Sequence, residues 1–180
     1  SRCFVRGDGN GEVIQFQSSM SSTKQVAKIT VSLGLWNRHV ATFDDPEADK
    51  RDLVLDACHW RVRLGNLRTP SRDEWWMIDG TARDATVRNE IEELLLERGL
   101  PELERFSADR ALRDLWLSGQ SPGRTAFQRL YDLSILLAKI GPRDRLPGVL
   151  RELGELTRQS RMAFSLSSHE QKLRAIETAE

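Results

Sequence analysis

The chain has 180 residues, 39 % of them hydrophobic and 30 % charged, and its 27 basic side chains balance 27 acidic ones. That length fits one domain, or one domain with a substantial appendage, and the composition supplies a core. The balance argues against a general nucleic-acid binder, whose affinity comes largely from cations on phosphates. No run reaches the roughly 18 apolar residues that span a bilayer, and two cysteines are too few for a disulfide scaffold or a zinc site.

The charge is spread evenly, with 11 basic and 11 acidic side chains in residues 1–80. No charged start runs into an apolar segment of the signal-peptide kind. A reducing compartment, bacterial cytoplasm, is the default setting for so few cysteines. The chain opens on Ser1 and enters strand-like sequence at once, which reads as a fragment or a processed or trimmed form.

Phe4–Arg6 reads as a first short strand. Gly7-Asp8-Gly9-Asn10-Gly11 follows as a hairpin turn, because these residues tolerate positive φ and no helix follows to meet a phosphate. Glu12–Ser18 is a second strand, with Ile14 and Phe16 on one side and Val13, Gln15 and Gln17 on the other. After a polar turn, Lys24–Leu35 is a third. It places Ile29, Val31, Leu33 and Leu35 inward and Lys28, Thr30 and Ser32 outward. The acidic stretch from Trp36 to Ala57 reads as a loop with a short helix near Glu47–Leu55.

Cys58–Gly65 gives the fourth strand. Cys58, Trp60, Val62 and Leu64 alternate with His59, Arg61 and Arg63, so one side is apolar and the other carries two guanidiniums and an imidazole. Thr69–Asp73 is a turn before Glu74-Trp75-Trp76-Met77-Ile78. Adjacent residues of a strand face opposite sides, so one tryptophan enters the core and its neighbour covers an edge or a groove rim.

From there the period becomes helical. Val87, Ile91, Leu94 and Leu95 form a stripe, with Gly99 and Pro101 as the stop. Ser107 caps a second helix over Ala111, Leu112 and Leu115, ended by Gly119. Ser121-Pro122 starts a third, with Phe127, Leu130, Leu133 and Leu137, ended by Gly141-Pro142. A fourth carries Leu146, Leu150, Leu153 and Leu156. Ser167–Glu170 reads as the capping box of a last helix.

The pattern predicts an α+β fold, with a four-stranded, mostly antiparallel sheet over residues 1–106. Helices pack on one face, and a C-terminal helical extension over 107–180 packs on the same domain.

Four pieces in this order resemble a known family. They are Phe4-Val5-Arg6; Ile14-Gln15-Phe16-Gln17-Ser18-Ser19; Ile29-Thr30-Val31-Ser32-Leu33-Gly34; and Arg61-Val62-Arg63-Leu64-Gly65, followed by Trp75-Trp76. Together with Gly99-Leu100-Pro101-Glu102-Leu103-Glu104 they resemble the domain-of-unknown-function 4304 family, bacterial proteins without an established activity, over roughly residues 1–106. The chain departs from that family in Ser32, where Asn is usual, and in the absence of an initial helix before the first strand. The resemblance implies a fold and no reaction, since function belongs to a site.

The chemistry-bearing residues are sparse. His39, His59 and His169 are the three histidines. Cys58 and His59, adjacent in a strand, face opposite sides and form no pair. Cys58 reads as core, His169 as solvated, and His39 with Asp44 and Asp45 as a solvated loop rather than a metal site. No catalytic residue, cofactor or metal is expected.

Binding is the expectation instead. Gln15, Gln17, His59, Arg61 and Arg63 would share a polar sheet face, with Trp75 or Trp76 as a stacking wall, suited to carboxylate or phosphate. The plain alternative is a wet sheet face shielded by arginine stems. The Leu146, Leu150, Leu153, Leu156 stripe reads as core or as a seam for a partner or a second copy. The leading expectation is a non-enzymatic, cytoplasmic interaction domain of accessory or immunity type. The alternative is a domain, enzymatic or not, that recognises a small anion or nucleotide through the polar face. Neither general nucleic-acid binding nor membrane insertion is expected.

Overall fold

The structure, a computed structural model, describes residues 2–6, 9–160 and 163–177. The chain divides into two compact units, residues 1–36 with 52–107, and residues 37–51 with 108–180.

The first unit carries the sheet. β1 (Arg2–Arg6), β2 (Gly11–Ser18), β3 (Ala27–Trp36) and β4 (Trp60–Arg63) lie in that order, all neighbours antiparallel. A short β5 (Trp76–Ile78) pairs with the start of β3 beside β4. β1 and β2 form the expected hairpin, with Arg6 opposite Glu12; Gly7 and Asp8 of its turn lie outside the described residues. β3 begins at Ala27 rather than Lys24. The Thr23 hydroxyl accepts the Val26 N–H at 3.0 Å and the Ser22 hydroxyl accepts the Lys28 N–H at 3.0 Å, which holds the chain in a turn.

Two-residue alternation sorts the sheet into two sides. Val31, Leu33 and Leu35 are buried on the side shared with Ile14 and Phe16. Each side chain so buried is worth about 1.5–3 kcal/mol against exposure. α2 (Arg83–Leu94) and α3 (Leu100–Ser107) belong to this apolar side, where the Trp60 and Phe106 rings lie 5.6 Å apart.

Gly99 and Pro101 do not stop the helix as expected. A π-helical turn over Leu95–Gly99 joins α2 to α3, and Pro101 falls in the first turn of α3, where a missing N–H is tolerated. A Cβ at Gly99 would stand 3.0 Å from Leu64 Cδ1 and 3.2 Å from Leu33 Cδ1. Glycine serves close approach to the sheet there, not termination.

Cys58 is fully buried, as expected, but not on the apolar side with Trp60. Leu55–Ala57 form a 3-10 turn that Cys58 caps, so regular alternation starts only at Trp60. A Cβ on Gly34, which shares a side with Ser32, would meet Cys58 Sγ at 2.7 Å and Leu55 Cδ1 at 2.8 Å. One end of the polar side is therefore covered.

The second unit is helical. α1 (Arg38–Asp44) occupies a stretch expected as loop. Asn37 is its N-cap, accepting the Val40 N–H on its side-chain oxygen at 3.1 Å. The helix expected near Glu47–Leu55 is reduced to a 3-10 turn at Ala48–Lys50. α4 (Asp109–Leu117) starts after Ala108, while Ser107, the expected cap, ends α3. α5 (Ala126–Ile140) starts at a capping box of Thr125 and Gln128 rather than at Ser121-Pro122. Leu130 and residues 132–138 of α5 are buried, making it the axis of this unit.

α6 (Leu146–Ser160) and α7 (Leu166–Glu177) complete the described chain. The cap of α7 is Ser165, whose hydroxyl accepts the Ser168 N–H at 3.3 Å, and not the Ser167–Glu170 box. In α6, Leu146 and Leu153 are buried, while Leu150 and Leu156 are half-buried. Among the described residues no helix is long and apolar enough to cross a membrane.

Candidate functional site

The polar side of the sheet is built by register. Gln15, Ser32 and Arg63 stand opposite one another across β2, β3 and β4. Gln17 faces Thr30, Lys28 faces Met77, and Arg61 faces Gly34. Strand-borne side chains on this side are thus cationic or neutral. Two carboxylates from outside the strands meet its arginines, Asp56 beside Arg61 and Asp73 beside Arg63.

A chain of contacts ties the face together. Gln17 donates to the Gln15 side chain at 3.0 Å, and the Ser32 hydroxyl donates to Gln17 at 3.4 Å. Thr30, fully buried, donates to the Glu74 carbonyl at 2.9 Å, which lays the 72–75 segment along β3. Trp75 then lies between two cations, with Lys28 Nζ 5.5 Å and Arg63 Cζ 5.3 Å from its ring centre.

Arg63 donates to both oxygens of Asp73 at 2.5 Å, and this guanidinium holds the Asp73 carboxyl below the usual carboxylate range. Arg61 reaches Asp56 at 3.3 Å. Asp56 is 96 % exposed and Asp73 54 % exposed. Ion pairs as open as these contribute about 0–1 kcal/mol each.

Of the residues expected at a site, Gln15, Gln17, Arg61, Arg63 and Trp75 are brought together. Trp76 is not: its ring is 3 % exposed and turned to the apolar side, so Trp75 is the one on the polar face. His59 is buried, only 7 % exposed, and its backbone N–H bonds the Leu35 carbonyl at 2.7 Å. It offers no imidazole to solvent.

A family model described as a domain of unknown function (DUF4304) matches residues 5–105, more than half of the chain. The chain belongs to that family. The DUF4304 region contains β2 to β5, the end of β1, α2 and most of α3, and every residue of the polar face just described. No curated protein and no solved structure matches the chain.

The second unit holds a polar cluster that periodicity does not reveal. His169, expected as solvated, is 3 % exposed. Its Nε2 lies 2.7 Å from Ser134 Oγ, and the Tyr131 ring stacks on it at 4.3 Å. The pair resembles a nucleophile and its base, but the hydrogen bonds run the other way. Ser134 spends its proton on the Tyr131 carbonyl at 2.6 Å, so His169 must donate to the hydroxyl rather than accept from it. Burial pushes the imidazole down to about 4, which keeps it neutral.

Asp44 does not orient this histidine. It takes the Tyr131 hydroxyl and the Lys172 ammonium, the latter at 2.7 Å, and these bonds outweigh the upward push of burial and lower its carboxyl. His39 faces Asp109 at 3.4 Å rather than Asp44 or Asp45. Among the described residues no three histidines, cysteines or carboxylates converge as metal ligands.

Proposed function

We propose that this DUF4304 protein is a non-enzymatic interaction domain of the bacterial cytoplasm, of accessory or immunity type. It engages an acidic protein surface with the polar face of its sheet. The observation that carries this reading is the distribution of charge by register. Among the described residues, Lys28, Arg61 and Arg63 project from strand positions whose cross-strand partners are Met77, Gly34 and Ser32, none of them acidic. The exposed loop acids that pair with the arginines are weakly held, so a partner's carboxylates can replace them at little cost.

The face also has the residue types that carry interface energy. Arginine, tryptophan and methionine are enriched at protein interfaces, and Arg61, Arg63, Trp75 and Met77 lie together here. The reversed hydrogen bond at Ser134 supports the non-enzymatic part of the reading, and a chain with two cysteines fits a reducing compartment. A small anion would draw on the same guanidiniums. The acidic surface is preferred because Lys28, Arg61 and Arg63 are spread over two strands rather than aimed at one point.

The test is capture from source lysate on immobilised protein. The wild type should retain a saturable partner that salt releases. Arg61→Glu with Arg63→Glu should weaken capture by about tenfold or more, about 1.4 kcal/mol, at an unchanged unfolding midpoint. Arg158→Glu, exposed on α6, should leave capture intact. No saturable partner, or equal capture by the double variant, overturns the reading.

A further inference from the structure

A cleft of about 470 Å³ lies between α6 and α7, within the range of about 300–1,000 Å³ usual for small-molecule sites. It belongs wholly to the second unit and is independent of the sheet face. Its shape follows from the helix pair. A Cβ at Gly154 would lie 2.9 Å from Leu166 Cδ2, so the helices touch there, and the cleft lies along α6 on the N-terminal side of that contact.

The floor is hydrocarbon. Leu146 and Leu150 of α6 are spaced by four residues and Leu166 and Leu173 of α7 by seven, so each pair lies on one face of its helix. The rim is cationic, with Arg143, Arg151 and Arg174 against a single lining carboxylate, Glu170. Arg151 and Arg174 are exposed and make no ion pair or hydrogen bond among the described residues. The neighbouring Glu152 is already engaged, by Arg129 at 3.2 Å.

An apolar floor under the exposed guanidiniums of Arg151 and Arg174 selects a ligand with both characters. A small hydrophilic anion would leave the leucines wet. A neutral hydrocarbon would leave the arginines unused. The closure at Gly154 and Leu166 stops a long helix from lying through the cleft. We propose that the cleft between α6 and α7 binds a small amphiphilic carboxylate, its chain on the leucines and its head group at the arginine rim.

The experiment is calorimetric titration of the full chain with decanoate below its micellar range, with acetate and 1-decanol as comparisons. Decanoate should bind saturably at one site, acetate should give no heat, and decanol should bind at least tenfold more weakly. Arg151→Gln with Arg174→Gln, both on the surface, should weaken decanoate at least tenfold without moving the unfolding midpoint. Glu170→Gln should tighten it, and Leu150→Trp should block it by filling the floor. Equal binding of decanol, multi-site uptake of detergent type, or decanoate affinity untouched by the arginine variants would overturn the assignment.

Discussion

Gly65→Ala should destabilise the first unit by about 3 kcal/mol, the upper end of what overpacking costs, and should strip Trp75 from the sheet face. A Cβ at Gly65 would lie 2.4 Å from Glu74 Cβ, 2.7 Å from the Arg72 carbonyl oxygen and 2.7 Å from the Glu74 nitrogen. Two of those atoms are backbone, so no rotamer change relieves the clash. The 72–75 segment must lift, and with it go the Glu74 carbonyl bound by Thr30, the Asp73 partner of Arg63, and Trp75.

Gly80→Ala is the matched comparison. Gly80 has φ +80 with nothing within 4 Å of its missing Cβ, so its substitution costs only left-handed strain of about 1–2 kcal/mol. Urea unfolding should rank the two, and tryptophan emission of Gly65→Ala should shift toward the solvated form before unfolding. Wild-type stability and emission in Gly65→Ala would mean that the loop is not seated on the end of β4.

The second large effect is a pair of opposed pH dependences in the second unit. His169 is lowered from 6.5 to about 4 by burial, so unfolding takes up a proton between those values. Stability is therefore lost as pH falls from about 6.5 toward 4, by about 3 kcal/mol in full. Asp132 on α5 is only 2 % exposed, and burial pushes it up to about 7 despite the Arg124 guanidinium beside it. The folded chain then keeps a proton that the unfolded chain releases near 3.8. Its contribution is lost as pH rises from about 4 to 7, by about 4 kcal/mol.

In the wild type the two trends offset each other. Asp132→Asn should expose the histidine trend, with stability rising with pH over that window. His169→Gln, which keeps a donor for Ser134, should expose the reverse. Urea midpoints between pH 4.5 and 7.5 read both slopes. An Asp132→Asn profile identical to wild type would show that the Asp132–Arg124 pair stays ionised throughout.

These residues also mark where the sequence was readable and where it was not. Two-residue alternation pairs Gln15 with Gln17 and Arg61 with Arg63, because a strand leaves its side chains no third direction, and the β2–β3–β4 register brings the two pairs to one side. The Trp75-Trp76 pair was divided correctly in kind for the same reason, though only β5 pairing told which was which. Cys58 escapes the rule because it caps the 3-10 turn Leu55–Ala57 and lies before β4, which starts at Trp60.

The helical half was readable in its stripes and not in its ends. Gly99 looked like a stop because glycine usually is one; its use for contact with Leu33 and Leu64 depends on a sheet distant in sequence. His169 looked solvated because serine, glutamate and lysine surround it in the chain. Its burial comes from Tyr131 and Ser134, more than thirty residues away, and no local period carries that. The loop carboxylates of Asp56 and Asp73 were equally invisible, since ion pairing across turns follows from register.

On the proposed function, the polar side of the sheet is where a partner lands. Hydroxyl-radical footprinting of the chain, free and with a protein retained in the capture experiment, tests this most directly. Trp75 and the 43 % exposed Met77 lie on that face, while Leu96 and Leu100 belong to the helical stretch packed on the opposite side. The account predicts that Trp75 and Met77 are protected from oxidation in the complex while Leu96 and Leu100 react as before. Protection of Leu96 and Leu100 with Trp75 and Met77 unchanged would contradict it.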